Sequence, residues 1–453
     1  MSIEKYGGKK MTLSAAAEPG ADDGPVGRAG SAGGAGGAGE GGGERPGARL
    51  AQVDALRGFA LLGILLVNIG FQASAYHGVG LAEPGFDSPL DGAVRWFVAL
   101  FFESKFFLLF SFLFGYSFTL QLASAERDGV RFAPRFLRRL TGLFVLGVLH
   151  AVLLFSGDIL TTYALLGLIL FAARRVRPRA AVRTAVILLT VTASLYLLLA
   201  AGVFLMGGAD VPDAGAAAEA ERATQALRGG PGSVIGQHLA ELSEFVFALI
   251  FLQAPASLAA FFLGLAAGRA RALGDLARHR ATLVRLQWAG FTVGLLGAGV
   301  YAWGNLADAG DAFQILAIGI DLLTAPLLSA AYGATVLRLT QGRFGRRTVA
   351  LLGPVGSMTL TGYLTQSLVC ALLFTGYGAG LVGRVPPAGV LAIALALFAA
   401  QVVASRWWLR RYRSGPVEWA LRAWTTLSVP PLRREAQDGR PGRGAWTRPG
   451  GCG

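Results

Sequence analysis

RRLTGLFVLGVLHAVLLFSGDILTTYALLGLIL, residues 138–170, is the stretch whose reading decides the fold. It opens on Arg138 and Arg139, turns apolar, breaks at Ser156–Gly157–Asp158 and is apolar again to Leu170. Two apolar runs joined by a short polar turn predict an antiparallel helical hairpin. His150 lies eleven residues beyond Arg139. A helix rising 1.5 Å per residue carries it about 16 Å from the arginines, into the far half of a hydrocarbon core about 30 Å thick.

The pattern repeats along the chain. Apolar runs at 55–75, 106–122, 137–156, 159–173, 184–206, 245–267, 286–304, 312–336, 357–377 and 388–409 predict ten helices, with 106–122 and 159–173 short for a crossing. Composition agrees: 53% of the 453 residues are hydrophobic and 15% charged, against roughly 25% charged in soluble domains. An ordinary soluble enzyme, a disordered chain and a disulfide scaffold are excluded. The expected fold is all-α, a polytopic transmembrane helix bundle of about ten spans.

The net charge is +14, which raises nucleic acid as a partner. The positions of the charges argue otherwise. With the loops numbered alternately, 36 of the 41 Lys and Arg residues fall on the side that holds both ends of the chain, and only Arg95, Lys105, Arg222, Arg228 and Arg384 on the other. This is the positive-inside distribution. It places both termini in the cytoplasm, names the lipid bilayer as the partner and leaves no role for nucleic acid. The Gly/Ala-rich residues 1–50 read as a disordered cytoplasmic tail, 51–428 as the transmembrane domain, and 429–453 as a disordered basic tail. The acidic outer loop 207–244 is either a solvated cap or a lid, and 92–104 an interfacial segment. Cys370 in a span and Cys452 near the end are too far apart to suggest a disulfide, and no metal-ligand spacing appears.

Polar residues inside spans point to function. Asp54 and Arg57 share one helix face, with Asn68 about three turns further along. Of the four histidines only His150 is in a span; Asp158 folds back beside it, either as the cap of the next helix or as the partner of its ring. Glu103 and Lys105 read as interfacial anchors of the second span or as the mouth of a site. Asp321 is the carboxylate clearly inside a span, with Glu244 and Gln253 as candidate partners. Tyr363, Gln366 and Ser367 form one polar helix face, suited to interhelical hydrogen bonds or to a site.

Three blocks carry a resemblance: DALRGFALLGILLVNI (54–69); KFFLLFSFLFGYSF (105–118) with the 138–170 stretch; and MTLTGYLTQSLVCALLFTGYGAGL (358–381) with SRWWLRRYRSGPVEWALR (405–422). Together they resemble the YeiB-like bacterial inner-membrane proteins (domain of unknown function 418) over about residues 50–427. The GDILxxYAL and RxRxGPxEWxxR patterns are the specific ones. The first block is also similar to transmembrane acyltransferases, which take an acyl group from a cytoplasmic donor to a hydroxyl outside. Many of those carry a His in the first span, where this chain has Asn68.

What the resemblance implies is an inner-membrane acyltransferase, with acyl-CoA as donor substrate, no bound cofactor and a glycan or lipid acceptor. His150 is then the expected base, Asp158 its orienting group and Asn68 the oxyanion donor, with Arg57, Arg138 and Arg139 holding donor phosphates. Asp321, Gln366 and Tyr363 are further intramembrane polar candidates. A transporter or flippase is the alternative, and a non-catalytic scaffold a second.

Overall fold

A computed structural model describes residues 46–78, 81–207, 213–274, 276, 278–307 and 310–434. The N-terminal tail up to residue 45, Asp210 of the acidic loop, Cys452 and the C-terminal tail from 435 lie outside them, as do the side chains of Asp213 and Glu244. Helix α1, Pro46–Ala73, is followed by the short α2, Ala75–Gly78, by α3, Pro89–Phe101, and by α4, Lys105–Arg127. The hairpin read from residues 138–170 forms as α5, Phe132–Leu153, and α6, Leu160–Ala172. Then come α7, Pro178–Leu205, and the outer pair α8, Asp213–Arg228, and α9, Pro231–Ala248. A π-helical turn at Leu249–Gln253 leads into α10, Ala254–Arg269. The remainder is α11, Arg280–Leu306; α12, Asp311–Gln341; α13, Gly345–Ser357; α14, Thr359–Phe374; α15, Pro387–Arg411; and α16, Pro416–Thr426. Among the described residues no strand forms, and the one isolated bridge joins Tyr412 to Arg433.

Among the described residues, eight helices are long and apolar enough to cross a membrane, with α3 and α4 counted together, and nine if α13 and α14, bent by 75°, form one broken span. The tenth expected span is α6, at 13 residues about 20 Å long, too short to cross alone. The chain is a multi-pass membrane protein, and each of the ten apolar runs corresponds to a helix. Its outward faces are greasy: Leu198 is 71% exposed and Leu296 75%, as a surface turned to lipid requires.

Helix contacts in lipid gain little from the hydrophobic effect, so they rely on close backbone approach at small residues. The sequence is rich in glycine, with 64 residues, and the structure shows where some of it is needed. A Cβ at Gly356 would stand 1.7 Å from the Asp54 carbonyl, and one at Gly58 2.2 Å from the Leu352 carbonyl, so α1 and α13 cross backbone to backbone. The same reciprocity joins Gly115 of α4 to the Phe261 carbonyl and Gly264 of α10 to the Phe112 carbonyl, both at 2.1 Å. Gly299 of α11, by contrast, has open space where a side chain would go. Gly356→Ala is expected to cost about 1–3 kcal/mol through overpacking, read as a lower thermal midpoint of the purified protein. Gly299→Ala should leave the midpoint unchanged or slightly higher.

Candidate functional site

His150 is 1% exposed and sits in the last turn of α5. Its Nδ1 lies 3.0 Å from Asp158 Oδ1, and its Nε2 lies 2.8 Å from the hydroxyl of Ser367 on α14. The Tyr363 ring packs on the imidazole with centroids 4.8 Å apart. The other Asp158 oxygen, Oδ2, accepts the Thr161 N–H at 2.7 Å and so caps the first turn of α6. Asp158 is thus a helix cap through Oδ2, while Oδ1 stands at ion-pair distance from the ring without an aligned hydrogen bond. Gly147, one turn before His150, permits this closeness: a Cβ there would meet Thr161 Oγ1 at 2.4 Å and Asp158 Oδ2 at 2.7 Å. A carboxylate beside Nδ1 favours the tautomer with its proton there, leaving the Nε2 lone pair to accept from Ser367.

Beside this row lies a cavity of about 830 Å³. Asp158 and Asn68 line it; His150 and Ser367 do not, and stand behind Asp158. Helices α8 and α9 contribute Glu219, His238 and Glu241 to its wall. Glu241 accepts the Ser156 hydroxyl at 2.5 Å and His238 Nδ1 donates to the Val152 carbonyl at 3.1 Å, so α9 is pinned to the hairpin turn.

Asp321 also lines the cavity, and its partner is Lys105. The two side chains are buried with Nζ 3.5 Å from Oδ1, and Nζ lies 4.9 Å from the centre of the Tyr301 ring. Lys105 is thus no interfacial anchor. The reason is the break between α3 and α4, where Ser104 adopts a left-handed φ of 64° and Lys105 turns inward. Glu103 accepts the Tyr301 hydroxyl at 3.1 Å and has His77 Nε2 at 3.6 Å. Gln366 pairs with Gln401 of α15 at 2.8 Å and serves packing.

The arginines expected to hold donor phosphates lie apart from the row. Arg57 is held by Asp54 at 2.7 Å and by Ser117 at 2.6 Å, and Arg138 donates to the Thr425 carbonyl at 2.9 Å. Arg139 has a buried Nε without a hydrogen-bond partner, and its charged neighbours are Arg57, Glu418 and Arg422. The RxRxGPxEWxxR pattern is explained here. Glu418 accepts the Leu360 and Thr361 N–H groups at 2.7 and 3.0 Å, capping α14 just past its bend. A Cβ at Gly415 would lie 2.2 Å from that carboxylate. The C-terminal motif thereby secures the start of the helix that carries Tyr363 and Ser367. Among the described residues no three His, Cys, Asp or Glu side chains group as metal ligands.

Residues 267–428 match the family described as "Protein of unknown function (DUF418)". The chain is 34% identical to the uncharacterised protein YxaH of Bacillus subtilis over 86% of its own length and 97% of that protein. The chain belongs to this family. It is also 30% identical to the uncharacterised protein YeiB of Escherichia coli, over 84% of the chain and 98% of YeiB. An uncharacterised 39.9 kDa protein encoded in the amylase 3′ region of Bacillus acidopullulyticus is 29% identical over 83% of the chain and 94% of that protein. No solved structure matches.

For this DUF418 protein, sequence reasoning singled out His150, Asp158 and Tyr363 but set Ser367 aside as one member of a polar face. The spacing of Tyr363 and Ser367 on one helix face was the available signal; that this face meets α5 is a tertiary fact. Two outcomes test the geometry. Asp321→Asn leaves Lys105 buried without its countercharge and should cost about 3–5 kcal/mol, whereas replacing both residues by Leu and Met should recover most of it, as read by thermal unfolding of the single and double variants. His238, buried outside the spans, has its pKa pushed below the usual 6.5 by desolvation, against the opposing effects of the Val152 carbonyl and Glu241. A depressed histidine pKa favours folding above 6.5 and loses that contribution as the pH falls. Acidification from pH 7.5 to about 5 should therefore speed hydrogen exchange of α9 beyond the intrinsic change, and His238→Gln should remove the pH effect.

Proposed function

We propose that this protein is an integral acyltransferase of the bacterial inner membrane, with both termini in the cytoplasm, that moves an acyl group from an acyl-CoA donor to an extracytoplasmic hydroxyl acceptor. The observation that carries the reading is the buried row of Ser367 hydroxyl, His150 imidazole and Asp158 carboxylate, the order that general-base activation of a nucleophile requires. His150 Nε2 takes the Ser367 proton as Oγ adds to the thioester carbonyl. The C–S bond breaks, the thiolate leaves with that proton, and the acyl group remains on Ser367. An acceptor hydroxyl then gives its proton to Nε2, adds to the ester carbonyl and releases the serine, which regains the proton. Asp158 holds the ring and stabilises its charged form in each step.

The row is closed to the cavity in this conformation, so entry requires the turn at 155–158 to move. Closure has a chemical use, because it shields an acyl ester from water. Asn68 on the cavity wall would donate a hydrogen bond to the oxyanion that forms on the acyl carbonyl when an acceptor hydroxyl adds to it. At the opposite, basic end, Arg139 is the donor-phosphate candidate with an unpartnered nitrogen, while Arg57 and Arg138 are already engaged.

The buried Lys105–Asp321 pair on the same cavity favours transport as a second reading, since such pairs also serve proton-coupled paths. Labelled acyl-CoA offered to the protein in nanodiscs, with glycan and lipid acceptors, separates the two. Acyl transfer should be lost by about 10²–10⁴-fold in His150→Ala and Ser367→Ala, and peptide mass spectrometry should find a hydroxylamine-labile adduct on Ser367. Substrate uptake into vesicles with no label transferred would instead establish transport.

A further inference from the structure

The cavity wall has one sign of charge. Five carboxylates, Glu103, Asp158, Glu219, Glu241 and Asp321, line it, and among the described residues no lysine or arginine does. Asp158 faces His150 and Asp321 faces the buried Lys105. Glu219 and Glu241 make no ion pair with a described basic residue, and Glu103 meets only His77 within ion-pair distance. Carboxylates focused by low-dielectric walls create a potential that concentrates cations.

An independent observation points the same way. Gln72, 8% exposed, and Thr162, 4% exposed, both line the cavity, and Gln72 Oε1 and Thr162 Oγ1 have no hydrogen-bond partner. Gln72 Oε1 can only accept, and the Thr162 hydroxyl can accept or donate. A buried acceptor without a donor is costly to leave unmade, and a ligand with N–H or O–H groups removes the cost. The rest of the wall is largely apolar, with Phe71, Phe107 and Phe155 offering ring surface to a cationic head or to its hydrocarbon part. A volume of about 830 Å³ suits a molecule of modest size.

We infer that this cavity binds an organic cation, an ammonium group joined to an apolar body. Where the acyl-transfer reading holds, this ligand is the hydroxyl-bearing acceptor; the binding itself does not depend on that chemistry. The test titrates full-length protein, in an uncharged maltoside detergent, with hexylammonium, hexanol and hexanoate, following heat and tryptophan fluorescence. The ammonium should bind saturably and at least about tenfold more tightly than the alcohol or the carboxylate, about the effect of one strong charge contact. Glu103→Gln with Glu241→Gln should abolish that preference, and Gln72→Ala should weaken binding severalfold. If the double variant does not fold, Glu219→Gln takes its place, because that side chain is exposed and makes no hydrogen bond among the described residues; its preference should fall at least twofold. Equal binding of the three probes, no binding of the ammonium, or a preference that survives in a folded variant overturns the inference. Acyl transfer persisting alongside such a result would leave the transfer chemistry standing and remove only the cationic ligand.

Discussion

His150 is cut off from water, with its Nε2 hydrogen-bonded to the Ser367 hydroxyl and its Nδ1 at ion-pair distance, 3.0 Å, from the Asp158 carboxylate without an aligned hydrogen bond. In an apolar bundle the alternative is an uncompensated polar group, which is costly. The surrounding structure can be understood from there. Asp158 must stand at the hairpin turn, Gly147 must be small enough to admit it, and α14 must start where Glu418 can cap it so that Ser367 arrives opposite the ring.

A second, related constraint acts on the charged residues around the cavity. Lys105 and Asp321 neutralise each other in the core, while Glu241 and His238 fasten α9 to the hairpin. Ser104 holds a left-handed conformation between Glu103 and Lys105, and both of those side chains meet Tyr301. Strain of this kind persists only where the surroundings determine it, and it recurs at functional sites.

Much of the site was legible because intramembrane polar groups are few. His150, Asp158, Asn68 and Asp321 stood out against a background that is half apolar. Their pairings were not legible. Asp321 was matched with Glu244 and Gln253 on shared depth, yet its partner is Lys105, which the break after Phe101 turns inward. Gln366 and Ser367 are neighbours on one face, but a rotation of about 100° per residue sends one to Gln401 and the other to His150.

The amino-acid sequence by itself determined the helical membrane architecture, because apolar length and periodicity are local properties that lipid reads directly. It also determined the hairpin at 156–158, where polar turn residues interrupt the apolar run. Only the tertiary structure decided that glycines in α1, α4, α10 and α13 are contact surfaces and that Ser367 completes the row with His150 and Asp158. Those outcomes depend on which helix faces meet. Helices far apart in sequence choose their neighbours by packing and hydrogen bonding across the bundle, which no single stretch of chain encodes.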